Sequence, residues 1–407
     1  MSFSGFILSS FFWGYCTTQL PGALVAKYLG SRNIFGGGLL IATLATILCP
    51  LVATFGPWYL IALRIFIGMG QGVTFPVALF IITRWIPETE KGLCTSLASG
   101  GQYLGAVLAS VISGYLCQHS FLGGWPSVFY LYGIVGVIWC LAWFVFVSDG
   151  PDSNKWVSPH EATYIRATVS LSRPVDTAVP WCSILTSVPV LSVWLTHCCN
   201  GFGYFMLLSE MPKFMVEVLG FDIQNSGLIT AIPYIAIYSG FIISGKISDY
   251  LIKRNLLTKT WVRKFAVLIA LLIPAVLLTS LSFLENRVHV LILMNIAMFF
   301  NGFANTGYYL NYMDLSPKNS AILCGFGNGM CAVAGFFGPI FVGYLVNSVD
   351  EKEPDYHHEI HHQWKLAFLT ASMVWVFGGA QYCVFGSGEE QPWSRDQEDE
   401  ASHSQKC

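Results

Sequence analysis

An arginine lies near the middle of an apolar stretch long enough to cross a bilayer, within Trp58–Gly92 (WYLIALRIFIGMGQGVTFPVALFIITRWIPETEKG). On insertion scales a guanidinium at that depth costs roughly 2.5–3.5 kcal/mol, so Arg64 must face protein, water or an anion. Helical spacing puts Arg64, Gly68, Gln71 and Phe75 on one stripe. Gly68, Gly70 and Gly72 strip side chains from its surroundings, so a helix or ligand can approach the backbone closely. Pro76 frees a backbone carbonyl, which membrane helices tolerate when neighbours satisfy it. Two readings follow: Arg64 holds an anion in a translocation path, or it braces helix packing. The first is favoured here.

Other polar residues in apolar surroundings are candidates for a cavity wall. Asn200 and Tyr204 are four apart and share a face; Asn305 and Tyr312 are seven apart on one stripe, with Asn311 beside them. Interhelical hydrogen bonding is the plainer role for each. Glu210 stands well inside an apolar run, just before Pro212, and is a candidate for gating or coupling, or else a solvated helix-end glutamate. His358-Glu359-Ile360-His361-His362 satisfies the zinc-protease pattern H-E-x-x-H, but no surrounding domain supplies a third ligand or a cleft. A polar loop is the better reading, and no metal or organic cofactor is expected.

The elements that position these residues are legible from composition. Of 407 residues, 54% are hydrophobic and 11% charged, against roughly 25% charged in soluble domains. The twelve cysteines sit mostly in apolar runs and read as small core residues, not a disulfide framework. No basic tract suggests nucleic acid. Eleven apolar segments of spanning length are expected, five before a hydrophilic stretch and six after it. They include Trp58–Trp85, Ile184–Val218, Val288–Tyr312 and Trp364–Phe385. The expected organisation is a helix bundle over 1–147, a central loop over 148–181, a second bundle over 182–386 and a disordered tail over 387–407. Lys27, Arg32, Arg84, Lys91, Lys253, Arg254, Arg263 and Lys264 fall on one face if the spans alternate. That face, the central loop and the C-terminus are therefore expected to be cytoplasmic. The connection Asn347–Gln363 is acidic and belongs to the opposite face.

An internal repeat is visible. Gly22-Ala-Leu-Val-Ala26-Lys27 recurs as Gly245-Lys-Ile-Ser-Asp249-Tyr, each copy followed by basic residues, and Gly-x-x-x-Asp resembles the loop signature of the major facilitator superfamily. FFWGYCTTQLPG (Phe11–Gly22), GVTFP (Gly72–Pro76), RWIPETEKG (Arg84–Gly92), LNYMDLSP (Leu310–Pro317), GFGNGM (Gly325–Met330) and GSGEEQPW (Gly386–Trp393) narrow this. They resemble the family of sialin, vesicular glutamate transporters and type I phosphate transporters. The resemblance implies an all-α, two-bundle membrane carrier that binds a small anion centrally and alternates access. It implies a multi-pass protein of a vesicular, lysosomal or plasma membrane, with sodium or a proton as a candidate coupling ion. Arg64 matches the family's arginine in the fourth helix, and the family's first helix is expected to be missing. Gln71 stands where the family usually has a carboxylate, and Ile67 where sialin has another. Leu79 and Tyr312 replace histidines, and Asn200 an arginine of the glutamate transporters.

Overall fold

The computed structural model describes residues 3–118, 123–169, 178–218, 226–281, 283–284, 286–346 and 356–395. Among them the regular structure is entirely helical. The first bundle contains α1 (Phe3–Leu29), α2 (Ser31–Ala53), α3 (Pro57–Gly72), α4 (Thr74–Trp85), α5 (Lys91–Gln118) and α6 (Trp125–Phe146). A short polar helix, α7 (Pro159–Thr168), lies in the central segment; Ser158 caps it through its hydroxyl. The second bundle contains α8 (Trp181–Thr186), α9 (Val188–Glu217), α10 (Ser226–Lys253), α11 (Lys259–Leu281) and α12 (Arg287–Asn301). A π turn (Asn305–Tyr309), α13 (Leu310–Leu315), α14 (Ser320–Val346) and α15 (Tyr356–Phe385) complete it.

Among the described residues, eight helical segments are long and apolar enough to cross a membrane by length and composition, against the eleven expected. The difference falls on α1, α5 and α9, which have 27, 28 and 30 residues but a more polar makeup. Two of them pack on the other bundle, α1 on α14 and α5 on α10, while α9 packs on α14 and α15 of its own bundle and lines the space between the two. Several of their polar and small residues meet protein, among them Ser10 and Gln19 of α1, Thr95, Ser96 and Gly100 of α5, and Ser192 and Thr196 of α9, so hydropathy understates these helices.

Several expected spans are interrupted. Trp58–Trp85 divides into α3 and α4 at Val73. Pro76 has no N–H for the Gly72 carbonyl, which loosens the ladder at that turn. Ile184–Val218 breaks at Ser187, just ahead of Pro189 in the first turn of α9. The expected span Val288–Tyr312 continues to Leu315 but passes through the π turn. The last helix begins at Tyr356, so the H-E-x-x-H residues lie at its N-terminal end rather than in a loop. Among the described residues, no group of three or more His, Cys, Asp or Glu could hold a metal.

The start of the tail is ordered, contrary to expectation. Gly388 N–H donates to Thr260 Oγ1, Gln391 N–H donates to the Leu315 carbonyl, and Ser316 and Ser394 hydroxyls pair. Trp393 packs on the second bundle's core, so apolar burial and backbone pairing together hold this stretch. The tail beyond Arg395 and the acidic stretch from Asn347 to Asp355 lie outside the described residues.

Arg263, counted above with the basic surface, is buried within α11. Its Nε donates to Asp314 Oδ2 at 2.6 Å, and its Nη1 donates to Ser248 Oγ and the Thr306 carbonyl, both at 3.0 Å. The pair ties α10, α11, the π turn and α13 together. Asp314→Asn leaves the guanidinium buried and unpaired, and should cost about 3–5 kcal/mol. The double replacement Arg263→Met with Asp314→Leu should be far milder. Thermal unfolding in detergent, single against double variant, checks this; equal losses would refute it.

Candidate functional site

A cavity of about 260 Å³ lies between the two bundles, at the small end for ligand pockets. From the first bundle it is lined by Tyr15 on α1, Phe75 on α4, and Ser99, Gln102 and Tyr103 on α5. From the second, His197, Asn200, Tyr204 and Phe205 come from α9, with Asn301 from α12. Asn305, Tyr308 and Tyr309 of the π turn, and Asn328 and Cys331 of α14, close the wall. None of the lining residues is Asp, Glu, Lys or Arg. The surface is one of amides, phenols and one imidazole, with apolar side chains between them.

The π turn is the element that shapes this wall. Gly307 lets it sit against α11: a Cβ there would stand 2.7 Å from Val267 Cγ2 and 3.0 Å from the Val267 nitrogen. The wider turn shifts the register, so Asn305 and Tyr312 do not share a face as their spacing predicts. Asn305 Nδ2 donates to Ser96 Oγ of α5 at 3.0 Å, crossing between bundles. Tyr312 turns towards α9, where its hydroxyl lies 2.9 Å from His197 Nδ1.

Of the residues singled out from sequence, Asn200 and Tyr204 are brought together at the cavity. Tyr312 stands behind its wall, fully buried. Asn311 faces into the second bundle, donating from Nδ2 to the Tyr382 hydroxyl. Arg64 and Gln71 lie on α3 outside the lining. Arg64 Nε is nevertheless buried without a hydrogen-bond partner, an arrangement that costs free energy until an acceptor arrives. The glycine stripe beside it serves helix packing, since a Cβ on Gly68 would stand 2.0 Å from the Phe11 carbonyl oxygen of α1. Gly72 meets Thr18 and Tyr15 of the same helix, and Gly22 meets Val73. Glu210 is half-buried near the end of α9. Ile67 and Leu79 point into packing clusters. Sequence reasoning missed His197, Asn301 and Tyr308. The spacing of His197 to Asn200, one helical turn, was the available signal.

The cavity is closed towards the basic face by two unlike seams. On one side Asp249, at the end of α10, accepts from the Gly92 and Leu93 N–H groups of α5, both at 2.7 Å. It thus acts as an N-cap supplied by the opposite bundle. Gly92 and Gly245 make this approach possible, because a Cβ on either would stand within 2.8 Å of the other's carbonyl oxygen. Next to it Glu88 takes Lys259 Nζ of the second bundle at 2.8 Å and Lys91 Nζ of the first. On the other side Ala26 replaces the repeat's aspartate and packs with Val73 and Val77. There the seam is apolar, formed by Ala23, Phe80, Ala321 and Ile322. One side is latched by charge and the other by packing.

Two facing bundles with a cavity between them, joined by contacts that bridge the halves, are the architecture of a helical membrane carrier. The sequence matches the model of the Major Facilitator Superfamily over residues 1–339. It is 33% identical to sialin of Ovis aries over 393 residues, 96% of this chain and 76% of that protein. It is 32% identical to a putative inorganic phosphate cotransporter of Drosophila melanogaster (97% and 74%) and 31% identical to vesicular glutamate transporter 2.2 of Danio rerio (99% and 67%). The chain belongs to the Major Facilitator Superfamily. Its fold is similar to that of the proton:xylose symporter XylE bound to 6-bromo-6-deoxy-D-glucose, with a TM-score of 0.71 at 14% identity over 96% of this chain and 88% of that one. FucP in the outward conformation gives 0.62 at 16%, over 92% and 89%.

Burial pushes the Glu88 carboxyl up, but the ammonium groups of Lys91 and Lys259 outweigh it and hold it well below the usual carboxylate range. A carboxylate with a lowered pKa contributes fully above its ordinary value and is lost only as pH falls through the lowered one. The Glu88 bonds should therefore persist between about pH 7.5 and about pH 5.5, whereas burial raises the Asp249 carboxyl. Glu88→Gln should instead open the basic face at every pH in that window. The check is labelling of a single cysteine placed at Ser99, read from the basic face. Opening on acidification through this window in an Asp249→Asn background, where Glu88 is the titrating carboxylate of the pair, would refute it.

Proposed function

We propose that this protein is a secondary transporter that moves a small anion across the membrane by alternating access. The observation that carries the reading is the cavity between bundles, sealed by contacts that themselves bridge the two halves. Such a seam can part without unfolding either bundle, as rigid-body gating requires. The anion is inferred from the relatives, whose names include a glutamate transporter and inorganic phosphate cotransporters. Organic anions of the glutamate or sialate kind are the first candidates, and phosphate with sodium or a proton as coupling ion is the second. Arg64 would add positive charge on the first-bundle side, its buried Nε offering an unused donor. Uptake of radiolabelled anions into liposomes holding the purified protein, with imposed pH and voltage gradients, tests the function. No uptake of any anion over protein-free liposomes would end it.

Lysine keeps the charge of Arg64 but loses the planar fork that suits an oxyanion. Arg64→Lys should raise the KM for the transported anion by about tenfold or more, the value of a charged hydrogen bond, with surface expression near wild type. Normal uptake by both Arg64→Lys and Arg64→Gln would place the anion site elsewhere.

Gln71 does not titrate, so the α3 stripe carries no proton-accepting group at that position. Uptake should follow membrane potential or the anion's gradient, with little dependence on lumenal pH. Gln71→Glu places a carboxylate about two helical turns from Arg64 on the same face, and should introduce such a dependence. Uptake at acidic and neutral lumenal pH, wild type against variant, decides it; a steep dependence in the wild type would refute the idea.

A further inference from the structure

In the second bundle's share of the cavity wall the amide donors are taken up by protein groups, and two hydrogen-bond chains end on residues that line the cavity. Asn301 Nδ2 donates to Asn200 Oδ1 at 2.8 Å and to the Ala270 carbonyl at 3.3 Å. Asn200 Nδ2 in turn donates to the Tyr308 hydroxyl at 2.9 Å. Tyr308 thereby has its oxygen occupied as an acceptor, while its own proton has no acceptor among the described residues. The phenol's proton is thus available to donate onward, and Tyr308 lines the cavity.

His197 reaches the same condition by another route. The hydroxyl of fully buried Tyr312 has His197 Nδ1 as its one hydrogen-bond partner among the described residues. A buried hydroxyl proton left without an acceptor is costly, so Tyr312 donates and Nδ1 accepts. In the neutral ring the proton then sits on Nε2. Among the described residues the cavity lining holds no carboxylate to pair an imidazolium, so the neutral ring is the form these partners accommodate. Nε2 has no second partner among the described residues, and the ring lines the cavity.

We infer that Tyr308 O–H and His197 Nε2–H form a neutral double-donor site for one oxyanion of the substrate, a carboxylate in preference to a phosphate, with Tyr312 and the Asn301–Asn200 pair as positioning residues. This rests on the proposed transport of an anion and specifies how the second bundle recognises it. Two neutral donors serve a singly charged carboxylate, whereas a phosphate presents more charge and more oxygens than this wall can satisfy. An uncharged hydroxyl in the same place gains less, because donors to an ionised acceptor form bonds roughly twice as strong.

The probes are glucuronate, glucose, which carries a hydroxymethyl group in place of the carboxylate, and inorganic phosphate. Wild-type liposomes should take up glucuronate in preference to both. Tyr308→Phe and His197→Phe should each raise the glucuronate KM by about tenfold. Tyr312→Phe should raise KM less and leave the maximal rate near wild type. Independently of transport, ¹⁵N-histidine spectra should show His197 protonated on Nε2 in the wild type and mixed tautomers in Tyr312→Phe. Unchanged KM values in a protein that moves glucuronate, or an Nδ1–H tautomer in the wild type, would overturn the inference and leave the anion function standing. Phosphate moved in preference to glucuronate would do the same, whereas preference for glucose over both anions would overturn inference and function together.

Discussion

Gly92 and Gly245 let two helices of opposite bundles meet at their backbones, and this contact joins the halves beside the cavity. That approach brings Asp249 within 2.7 Å of two free N–H groups at the start of α5. Every helix leaves such donors unsatisfied, and the partial positive charge there favours a carboxylate. The contact is therefore favourable, local and breakable. Glu88 adds a second bond across the same seam, to Lys259. Neither lies inside a bundle core, so parting the seam exposes polar groups to water that can hydrate them.

Within the second bundle the constraint is different. Arg263 and Asp314 are both almost wholly buried, and their pairing holds the base of the broken helix that carries the π turn. A π turn widens the backbone at the cost of regular packing and is frequent where function needs a re-aimed side chain. Here it sends Asn305 towards α5 and Tyr308 into the cavity. The buried ion pair sits directly beneath the wall that the substrate would touch.

The two halves are not equivalent despite their common ancestry in pattern. Ala26 occupies the place of Asp249 and is buried in an apolar cluster. The α1–α14 side is consequently sealed by Ala23, Phe80, Ala321 and Ile322. Apolar seams are indifferent to pH and salt, while charged ones answer to ionic strength. A carrier with one of each has a closed state whose strength the aqueous phase tunes on one side only.

The class of protein was legible in sequence because bilayers impose it: segments of about 20 apolar residues are read from composition alone. Arg64 and the glycines beside it were visible for the same reason, as exceptions to an apolar background. The residues that line the cavity were only partly visible. Asn200 and Tyr204 share a helical face and both reach it, since α9 is regular there. Asn305 and Tyr312 part company because a π turn changes the period that the spacing argument assumes. Arg263 looked like a surface base until folding supplied Asp314, 51 residues away in the chain. The directions of the Asn301–Asn200–Tyr308 and Tyr312–His197 hydrogen bonds depend on partners about a hundred residues apart. Sequence determined which helices form and which polar groups they carry into the membrane. Tertiary structure decided which of those groups meet, because a hydrogen bond is set by distance and direction between chains of atoms that no local period relates.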